Sequence, residues 1–248
     1  MTAFLASVRD AAEARLVLNA GVDVLDVKEP AAGALGAVTD ATLREIGTCA
    51  AGAVPVSATI GDLPPVPDQL LPAIERTWQA GVDIVKVGVF AAAVPGSVVS
   101  LLAGCSDRGV RIVLVYFAEQ WCGDLDWESL NQSGVTGVML DTRDKGSGSL
   151  TSKLGNVELA YFLRQARQAN LVAGLAGSLR ESEIPGLLAL APDYLGFRGA
   201  LCGASGRAGM LDAPTARRIA NRIHEAGPPR TVLVPRMTRQ ASTNLMSV

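Results

Sequence analysis

Reactive side chains recur at one register of four similar stretches of the chain. The stretches are AGVDVLDVK (Ala20–Lys28), AGVDIVKVG (Ala80–Gly88), SGVTGVMLD (Ser133–Asp141) and LAPDYLGFR (Leu190–Arg198). Counted from the second residue of each, charged side chains stand at the fifth or seventh following position: Asp26, Lys28, Lys86, Asp141 and Arg198. Each stretch has the pattern of a strand, and strand side chains alternate faces with period 2. We therefore expect all these groups to point to one side, near the carboxyl ends of the strands.

A lysine amine in such a place suits covalent chemistry on a carbonyl compound. Burial or neighbouring cations lower the pKa of a lysine, and the free amine can attack an aldehyde or ketone to form a Schiff base. Lys28 is the strongest candidate because Asp26 lies two residues earlier on the same face. Lys86 and Lys145 would supply positive charge, lower the pKa of Lys28 or exchange protons. The alternative is a set of structural ion pairs, although buried charges are costly unless they are matched.

Glycine-rich segments indicate a phosphate site. The seventh predicted strand runs into Gly177–Ser178 before a helix, and the eighth ends at Arg198–Gly199 before a second glycine-rich loop. Backbone N–H groups at such positions bind anions, and Arg198 would add a bidentate donor. Thr59 and Asp62, which close the third strand, could also reach the site, or could belong to a simple turn.

Eight strand-like runs alternate with eight helix-like runs, which favours a closed (β/α)8 TIM barrel over an open, doubly wound α/β sheet. The predicted strands are Phe4–Val8, Val22–Lys28, Val54–Ile60, Val82–Val89, Arg111–Phe117, Gly137–Asp141, Leu171–Ala176 and Tyr194–Arg198. The predicted helices span 10–20, 39–49, 67–80, 95–108, 125–133, 155–169, 180–190 and 213–226. Glycines that follow predicted helices are Gly21, Gly81, Gly109, Gly134 and Gly227. We assign 1–227 to one catalytic domain and 228–248 to a short C-terminal extension, disordered or packed on a neighbour.

Composition argues against a nucleic-acid-binding, membrane-spanning or disulfide-rich protein. The chain has 248 residues, is 49% hydrophobic and has a net charge of −2. We find no basic stripe for nucleic acid, no segment expected to span a membrane and no signal-peptide pattern. The four scattered cysteines and the single histidine, His224, predict neither a disulfide framework nor a metal site. No nucleotide fingerprint occurs, so we expect no cofactor. The scattered cysteines make the cytoplasm the expected location, and we expect a homo-oligomer because barrels of this type often assemble.

Several of these motifs together resemble one known family. The segments that carry the likeness are Asp26–Pro30 with Gly33–Gly36, Val56–Asp62, Ile84–Gly88, Met139–Thr142 with Lys145, Leu175–Ser178 and Gly196–Cys202. They are similar to (5-formylfuran-3-yl)methyl phosphate synthase, also called 4-(hydroxymethyl)-2-furancarboxaldehyde phosphate synthase, of methanofuran biosynthesis. The likeness spans most of residues 1–226 and is weaker around 116–133 and in the tail.

The resemblance implies a (β/α)8 barrel that condenses two molecules of glyceraldehyde 3-phosphate into a furan aldehyde phosphate, with loss of phosphate and water. By the same resemblance, Lys28 would form the Schiff base, and the surrounding catalytic groups would be Asp26, Lys86, Asp141 and Lys145. A phosphorylated triose would then be the small-molecule partner, within one-carbon metabolism.

Two other functions remain open at this point. One is a different Schiff-base aldolase or phosphosugar isomerase on the same barrel, which would release no phosphate. The other is a non-catalytic subunit or ligand sensor that keeps the fold. The intact set of lysines and aspartates argues against the second.

Overall fold

The computed structural model of the chain describes residues 2–91 and 93–225, except for the side chains of residues 204 and 205. Eight parallel strands form a closed barrel in chain order, β1-β2-β3-β4-β5-β6-β7-β8. They are β1 (Ala3–Val8), β2 (Val24–Val27), β3 (Val56–Thr59), β4 (Ile84–Gly88), β5 (Ile112–Phe117), β6 (Gly137–Asp141), β7 (Val172–Leu175) and β8 (Tyr194–Phe197). The predicted TIM barrel is confirmed, with several strands shorter than predicted.

Helices cover the outside of the barrel. The structure has α1 (Ala11–Ala20), α2 (Asp40–Ala50), α3 (Pro67–Gln79), α4 (Gly96–Asp107), α5 (Trp127–Gln132), α6 (Leu150–Lys153), α7 (Asn156–Gln168), α8 (Ile184–Ala189) and α9 (Ala213–His224). Short 3-10 turns lie at Ala118–Gln120, Glu181–Glu183 and Gly199–Ser205. The helix predicted over 180–190 is therefore split, because Pro185 favours the first turn of a new helix. The short helix α6 was not predicted.

Glycines end several helices as the sequence predicted. Gly21, Gly81, Gly109 and Gly134 all have positive φ angles, between 64° and 101°. Glycine adopts this left-handed conformation at low cost, so each lets the chain reverse from a helix into the next strand. Gly227 and the predicted extension 228–248 lie outside the described residues.

Apolar side chains fill both the barrel interior and the layer between strands and helices. The interior contains Leu5, Val24, Ile84, Met139 and Tyr194, all nearly inaccessible to solvent. Its lower part is filled by the Tyr194 ring, which lies over Gly174: a Cβ atom on that glycine would approach the ring to 2.1 Å. The barrel is thus packed below and leaves space for a site only at the carboxyl ends of its strands.

Aspartates join neighbouring strands at the amino-terminal rim. Each follows a helix and precedes a strand, and a carboxylate oxygen accepts a hydrogen bond from a backbone N–H of the preceding strand in the barrel. The pairs are Asp23 with Phe4 at 2.7 Å, Asp83 with Val56 at 2.9 Å and Asp193 with Ala173 at 2.8 Å. His224, at the end of α9, lies 2.8 Å from Asp23 at this rim. This is the opposite end of the barrel from the predicted site.

No helix in residues 2–91 or 93–225 has both the length and the apolar character to cross a bilayer.

Candidate active site

A cavity of about 500 Å³ opens at the carboxyl ends of the strands. This volume is within the range of small-molecule sites, roughly 300–1,000 Å³. Side chains from β1, β2, β6 and β8 line it, and the loops after β7 and β8 form one wall. Four of the five residues predicted to share one face line the cavity: Asp26, Lys28, Asp141 and Arg198. Lys86, the fifth, is outside the lining and contacts Asp26, whereas Lys145 of the following loop does line the cavity.

Asp26 accepts three hydrogen bonds from side chains. Its Oδ2 accepts from Ser7 Oγ at 2.8 Å, and its Oδ1 accepts from Ser57 Oγ at 2.9 Å and from Lys86 Nζ at 2.8 Å. The strand register explains these contacts, since Ser7 and Ser57 are the direct neighbours of Asp26 on β1 and β3. Burial alone would raise the pKa of the Asp26 carboxyl, but Lys86 and Lys28 outweigh it and lower that pKa. The group is an ionised carboxylate fixed from three sides.

Asp141, the last residue of β6, forms a second pair. Lys145 Nζ lies 2.5 Å from Asp141 Oδ1, and the backbone N–H of Thr142 donates to the same oxygen at 2.7 Å. Burial would raise the pKa of this carboxyl, but Lys145 and Lys28 lower it to about 2. Asp141 is therefore ionised near neutral pH.

Lys28 lies between these two carboxylates. Its Nζ is 4.0 Å from Asp26 and has no hydrogen-bond partner among the described residues. Burial lowers the pKa of the Lys28 amine to about 8, against the opposing pull of Asp141 and Asp26. About a tenth of this amine is uncharged at pH 7, several hundred times more than for an ordinary lysine. A nucleophilic amine is thus present without an external base.

Lysine occurs at only four positions in the chain, whereas arginine occurs at 18. Lys28, Lys86 and Lys145 belong to the two ion-pair groups just described. The fourth, Lys153 of α6, pairs with Glu119 at 3.3 Å, and Glu119 also accepts from the backbone N–H groups of Arg143 and Asp144. This contact holds the loop that contains Lys145. Two of the four lysines thus line the cavity, Lys86 pairs with a carboxylate that lines it, and Lys153 supports the loop after β6.

The loop after β7 approaches its neighbour closely. Gly177 has a φ of 106°, and a Cβ atom there would lie 2.7 Å from the backbone nitrogen of Thr142. The next residue, Ser178, also has a positive φ of 48°, and its Oγ donates to the carbonyl oxygen of Lys145 at 3.1 Å. Gly177, Ser178 and Gly199 all line the cavity, and the phosphate site predicted there stays a prediction.

Arg198 has a different surrounding from the one that the sequence suggested. Its guanidinium forms two hydrogen bonds with Glu13 of α1 and others with backbone carbonyls. The carbonyl acceptors are those of Ser7 at 3.2 Å, Arg207 at 2.8 Å and Gly209 at 3.0 Å. A guanidinium has five N–H donors, and all five have acceptors here. Arg198 lines the cavity but holds the loop after β8, with no donor left for a ligand.

Thr59 and Asp62 lie outside the cavity lining. Thr59 Oγ1 donates to the carbonyl oxygen of Gly36 at 2.9 Å. Asp62 accepts from the backbone N–H groups of Ala34 and Leu35 at 3.0 and 2.8 Å. Both residues hold the loop that follows β2, so their contribution to the site is to fix that loop.

Sequence reasoning missed several residues that support the site. Ser7 could have been found because it is the one polar residue of β1, and Ser57 because it is a polar residue in the middle of β3. Glu13 gave no signal, since it lies within the pattern of an ordinary amphipathic helix. Among the described residues, no group of three or more His, Cys, Asp or Glu side chains could hold a metal ion.

Comparisons with known proteins agree on one family. The family described as 4-HFC-P synthase matches residues 4–220. A Methylorubrum extorquens protein assigned as (5-formylfuran-3-yl)methyl phosphate synthase is 38% identical over 90% of this chain and 92% of its own length. The (5-formylfuran-3-yl)methyl phosphate synthases of Methanopyrus kandleri and Archaeoglobus fulgidus are each 30% identical, over 85% and 89% of this chain and 94% and 98% of theirs.

Solved structures show a similar fold at low identity. Phosphoribosyl anthranilate isomerase from Thermus thermophilus has a TM-score of 0.65 at 16% identity, covering 91% of this chain and 99% of that one. The 3-hexulose-6-phosphate synthase from Salmonella typhimurium has a TM-score of 0.61 at 15% identity, covering 91% and 100%. These likenesses concern the barrel alone, whereas the sequence matches extend through the whole set of cavity residues. The chain belongs to the 4-HFC-P synthase family.

Proposed function

We propose that this protein condenses two molecules of glyceraldehyde 3-phosphate into (5-formylfuran-3-yl)methyl phosphate, through a Schiff base on Lys28. One inorganic phosphate and two molecules of water are released for each product. The observation that carries the proposal is a buried amine with a pKa of about 8, placed in a cavity between two ionised carboxylates. The product is the one named for the relatives, and it would serve the synthesis of a methanofuran-type cofactor.

The reaction begins with the free amine of Lys28 adding to the aldehyde carbon of one triose phosphate. Loss of water gives an imine, which becomes cationic on protonation and acidifies the neighbouring C–H bond. Asp26 and Asp141 flank the nitrogen and stabilise its positive charge. This arrangement favours the iminium over the free aldehyde.

Proton transfer then produces an enamine carbon that attacks the second aldehyde. Asp141 is the proposed base: its carboxylate is ionised near neutral pH, the iminium acidifies the C–H bond, and Lys145 at 2.5 Å can return a proton. Lys86 holds Asp26 in its ionised form at 2.8 Å. Elimination of phosphate, ring closure and dehydration follow, driven by formation of the aromatic furan.

The wall formed by Gly177, Ser178 and Gly199 is proposed to hold one phosphate. Backbone N–H groups in loops of this kind bind anions, and the loops after strands 7 and 8 are the recurrent phosphate site of these barrels. Arg198 supports this wall through its contacts with the loop after β8 and does not contact the phosphate itself.

Location and assembly belong to the same proposal. No disulfide joins the cysteines in the described part of the chain, which supports a reducing compartment such as the cytoplasm. We keep the homo-oligomer as a prediction, to be measured by light scattering.

The direct test is incubation of the purified protein with glyceraldehyde 3-phosphate alone. We expect a furan aldehyde phosphate by mass spectrometry, with about one phosphate freed per product. Borohydride should then trap the imine, and peptide mapping should find it on Lys28. The chain offers a matched control: Lys28→Arg should abolish turnover and trapping, whereas Lys153→Arg should retain both.

Two results would contradict the proposal. A sugar phosphate formed without phosphate release would indicate an aldolase or isomerase on the same barrel. An active Lys28→Arg enzyme would exclude a Schiff base on this residue, whatever the product.

A further inference from the structure

The cavity lining contains six cationic side chains, and they differ in their partners. They are Lys28, Lys145, Arg180, Arg198, Arg207 and Arg218. Four of them lie within 4.0 Å of a carboxylate: Lys28 near Asp26, Lys145 near Asp141, Arg198 near Glu13 and Arg218 near Glu181. Within the described part of the chain, Arg180 and Arg207 have no such ion pair. These two guanidinium groups are the cations available to an anionic ligand.

Arg207 extends across the mouth of the cavity. It lies in the loop after β8, and its Nη2 donates to the carbonyl oxygen of Gly33 at 3.2 Å, in the loop after β2. The strand between these two loops is β1, so the side chain passes over that part of the barrel. Lys28 is the residue that follows β2, and it lines the same cavity. The guanidinium therefore contacts the loop that begins at the reactive amine.

Burial makes an unpaired guanidinium unfavourable. Arg207 is half-buried, and burial lowers the pKa of its guanidinium, while Asp141 and Asp62 act in the opposite direction from a distance. A guanidinium with one N–H on Gly33 has four N–H groups left, and none has an acceptor among the described residues. A bound anion would offset this cost, and phosphate fits the guanidinium fork with two parallel hydrogen bonds.

Arg180 lies on another wall. It comes two residues after Ser178, in the loop that follows β7, and it is exposed at the rim of the cavity. The two unpaired arginines thus come from loops on either side of β8. One adjoins the glycine-rich wall and the other bridges the loops after β8 and β2.

We propose that the cavity has two phosphate subsites, one formed by Gly177, Ser178 and Arg180, and a second formed by Arg207. This inference rests on the proposed function, because that reaction brings two phosphorylated trioses into one cavity. It names the residue that holds the second of them. Arg198 and Glu13 act as positioning residues, since Arg198 Nε donates to the carbonyl oxygen of Arg207 at 2.8 Å.

Glycerol 3-phosphate is a suitable ligand for the test, because it has the phosphate and the chain length of the triose but no carbonyl group. We expect titration calorimetry and phosphorus NMR to find two molecules bound per chain. Arg207→Gln and Arg180→Gln should each bind one, and the double variant should bind neither in the same concentration range. Arg164→Gln is the matched control, because Arg164 lies on α7 over the Tyr161 ring, outside the cavity lining.

Steady-state kinetics give a second measurement. Arg207→Gln should raise KM for glyceraldehyde 3-phosphate by about tenfold to a hundredfold, the usual effect of losing hydrogen bonds to a charged group. Arg207→Lys keeps the charge but loses the fork, so its KM should lie between those of the wild type and Arg207→Gln. If Arg207→Gln has a much lower melting temperature than the wild type, the KM of Arg207→Lys is used instead to test the contact between Arg207 and phosphate.

One glycerol 3-phosphate per wild-type chain, or two per chain in a folded Arg207→Gln variant, would overturn the inference. This outcome is distinct from failure of the proposed function. Glycerol 3-phosphate cannot form an imine, so its binding stoichiometry does not depend on Lys28 or on whether a furan is made.

Discussion

The two ends of the barrel use aspartate in different ways. Asp23 and Asp26 are three residues apart on either side of the start of β2, yet Asp23 accepts from a backbone N–H and Asp26 accepts only from side chains. At the amino-terminal rim, Asp83 and Asp193 repeat the backbone contact. At the carboxyl-terminal rim, Asp141 has a lysine partner. The same residue type joins strands at one end and fixes charged amines at the other.

The aspartates at the two rims differ in the hydrogen-bond donors that they satisfy. A rim aspartate satisfies a backbone donor at the start of a strand, which otherwise needs water or another acceptor. Asp26 accepts only from side chains, and Asp141 accepts from Lys145 as well as from the backbone N–H of Thr142. Buried ion pairs of this kind are weak sources of stability. We therefore attribute the free-energy cost of burying these two carboxylates to the proposed reaction. Variants at the two ends should separate stability from activity.

Removing a charge at the carboxyl-terminal rim should have the largest effect. We expect Asp141→Asn to lower kcat/KM by about 10²–10⁴-fold, the contribution of a well-placed proton-transfer group. Asp193→Asn is the counterpart at the other rim and should keep nearly full activity, because asparagine can still accept from Ala173. Equal losses in the two variants would remove the functional distinction between the rims.

The pH dependence should report the amine at the carboxyl-terminal rim. Because Lys28 reacts as the free base and has a pKa of about 8, kcat/KM should rise about tenfold per pH unit below 8 and level off above it. Lys28 binds its proton less tightly in the folded chain than in the unfolded one, so the free energy of unfolding should also rise with pH between about 8 and 10.4. Stability curves for the wild type and Lys28→Met should diverge in this interval, and parallel curves would contradict the assignment.

Changes in the lower half of the barrel should affect stability without affecting chemistry. A methyl group at position 174 would meet the Tyr194 ring, so Gly174→Ala should lower the free energy of unfolding by about 1–3 kcal/mol. Denaturant unfolding measures this loss, and kcat of the folded fraction should stay near the wild-type value. A selective loss of kcat would show that the lower interior is coupled to the cavity.

The smallest effect is expected at the amino-terminal rim itself. Asp23→Asn keeps an oxygen for the N–H of Phe4 but loses the charge that faces His224 at 2.8 Å. Since this pair is partly exposed, we expect at most about 1 kcal/mol of lost stability. Thermal unfolding together with an activity assay checks this, and a large loss of activity would be inconsistent with a purely structural rim.

Local patterns in the sequence were sufficient for the barrel and for the central charges. Period 2 along β2 and β4 placed Asp26, Lys28 and Lys86 on one face, and glycines after helices marked where strands begin. The role of Arg198 depends on Glu13, which is 185 residues away in the chain and pairs with it only after the barrel closes. Arg207 lies in an irregular loop with no periodicity, so no pattern indicated that it would extend across the mouth.

The placement of lysine has a consequence for a protein that handles aldehydes. The four lysine side chains are only 3%, 8%, 12% and 17% exposed, and the remaining cationic side chains are guanidinium groups or the single His224. Guanidinium groups, protonated at neutral pH, do not form simple imines with trioses. If the substrate is a triose aldehyde, the protein presents almost no lysine amine that its own substrate could glycate. Slow, unwanted adducts would then be confined to the cavity, where catalysis removes them.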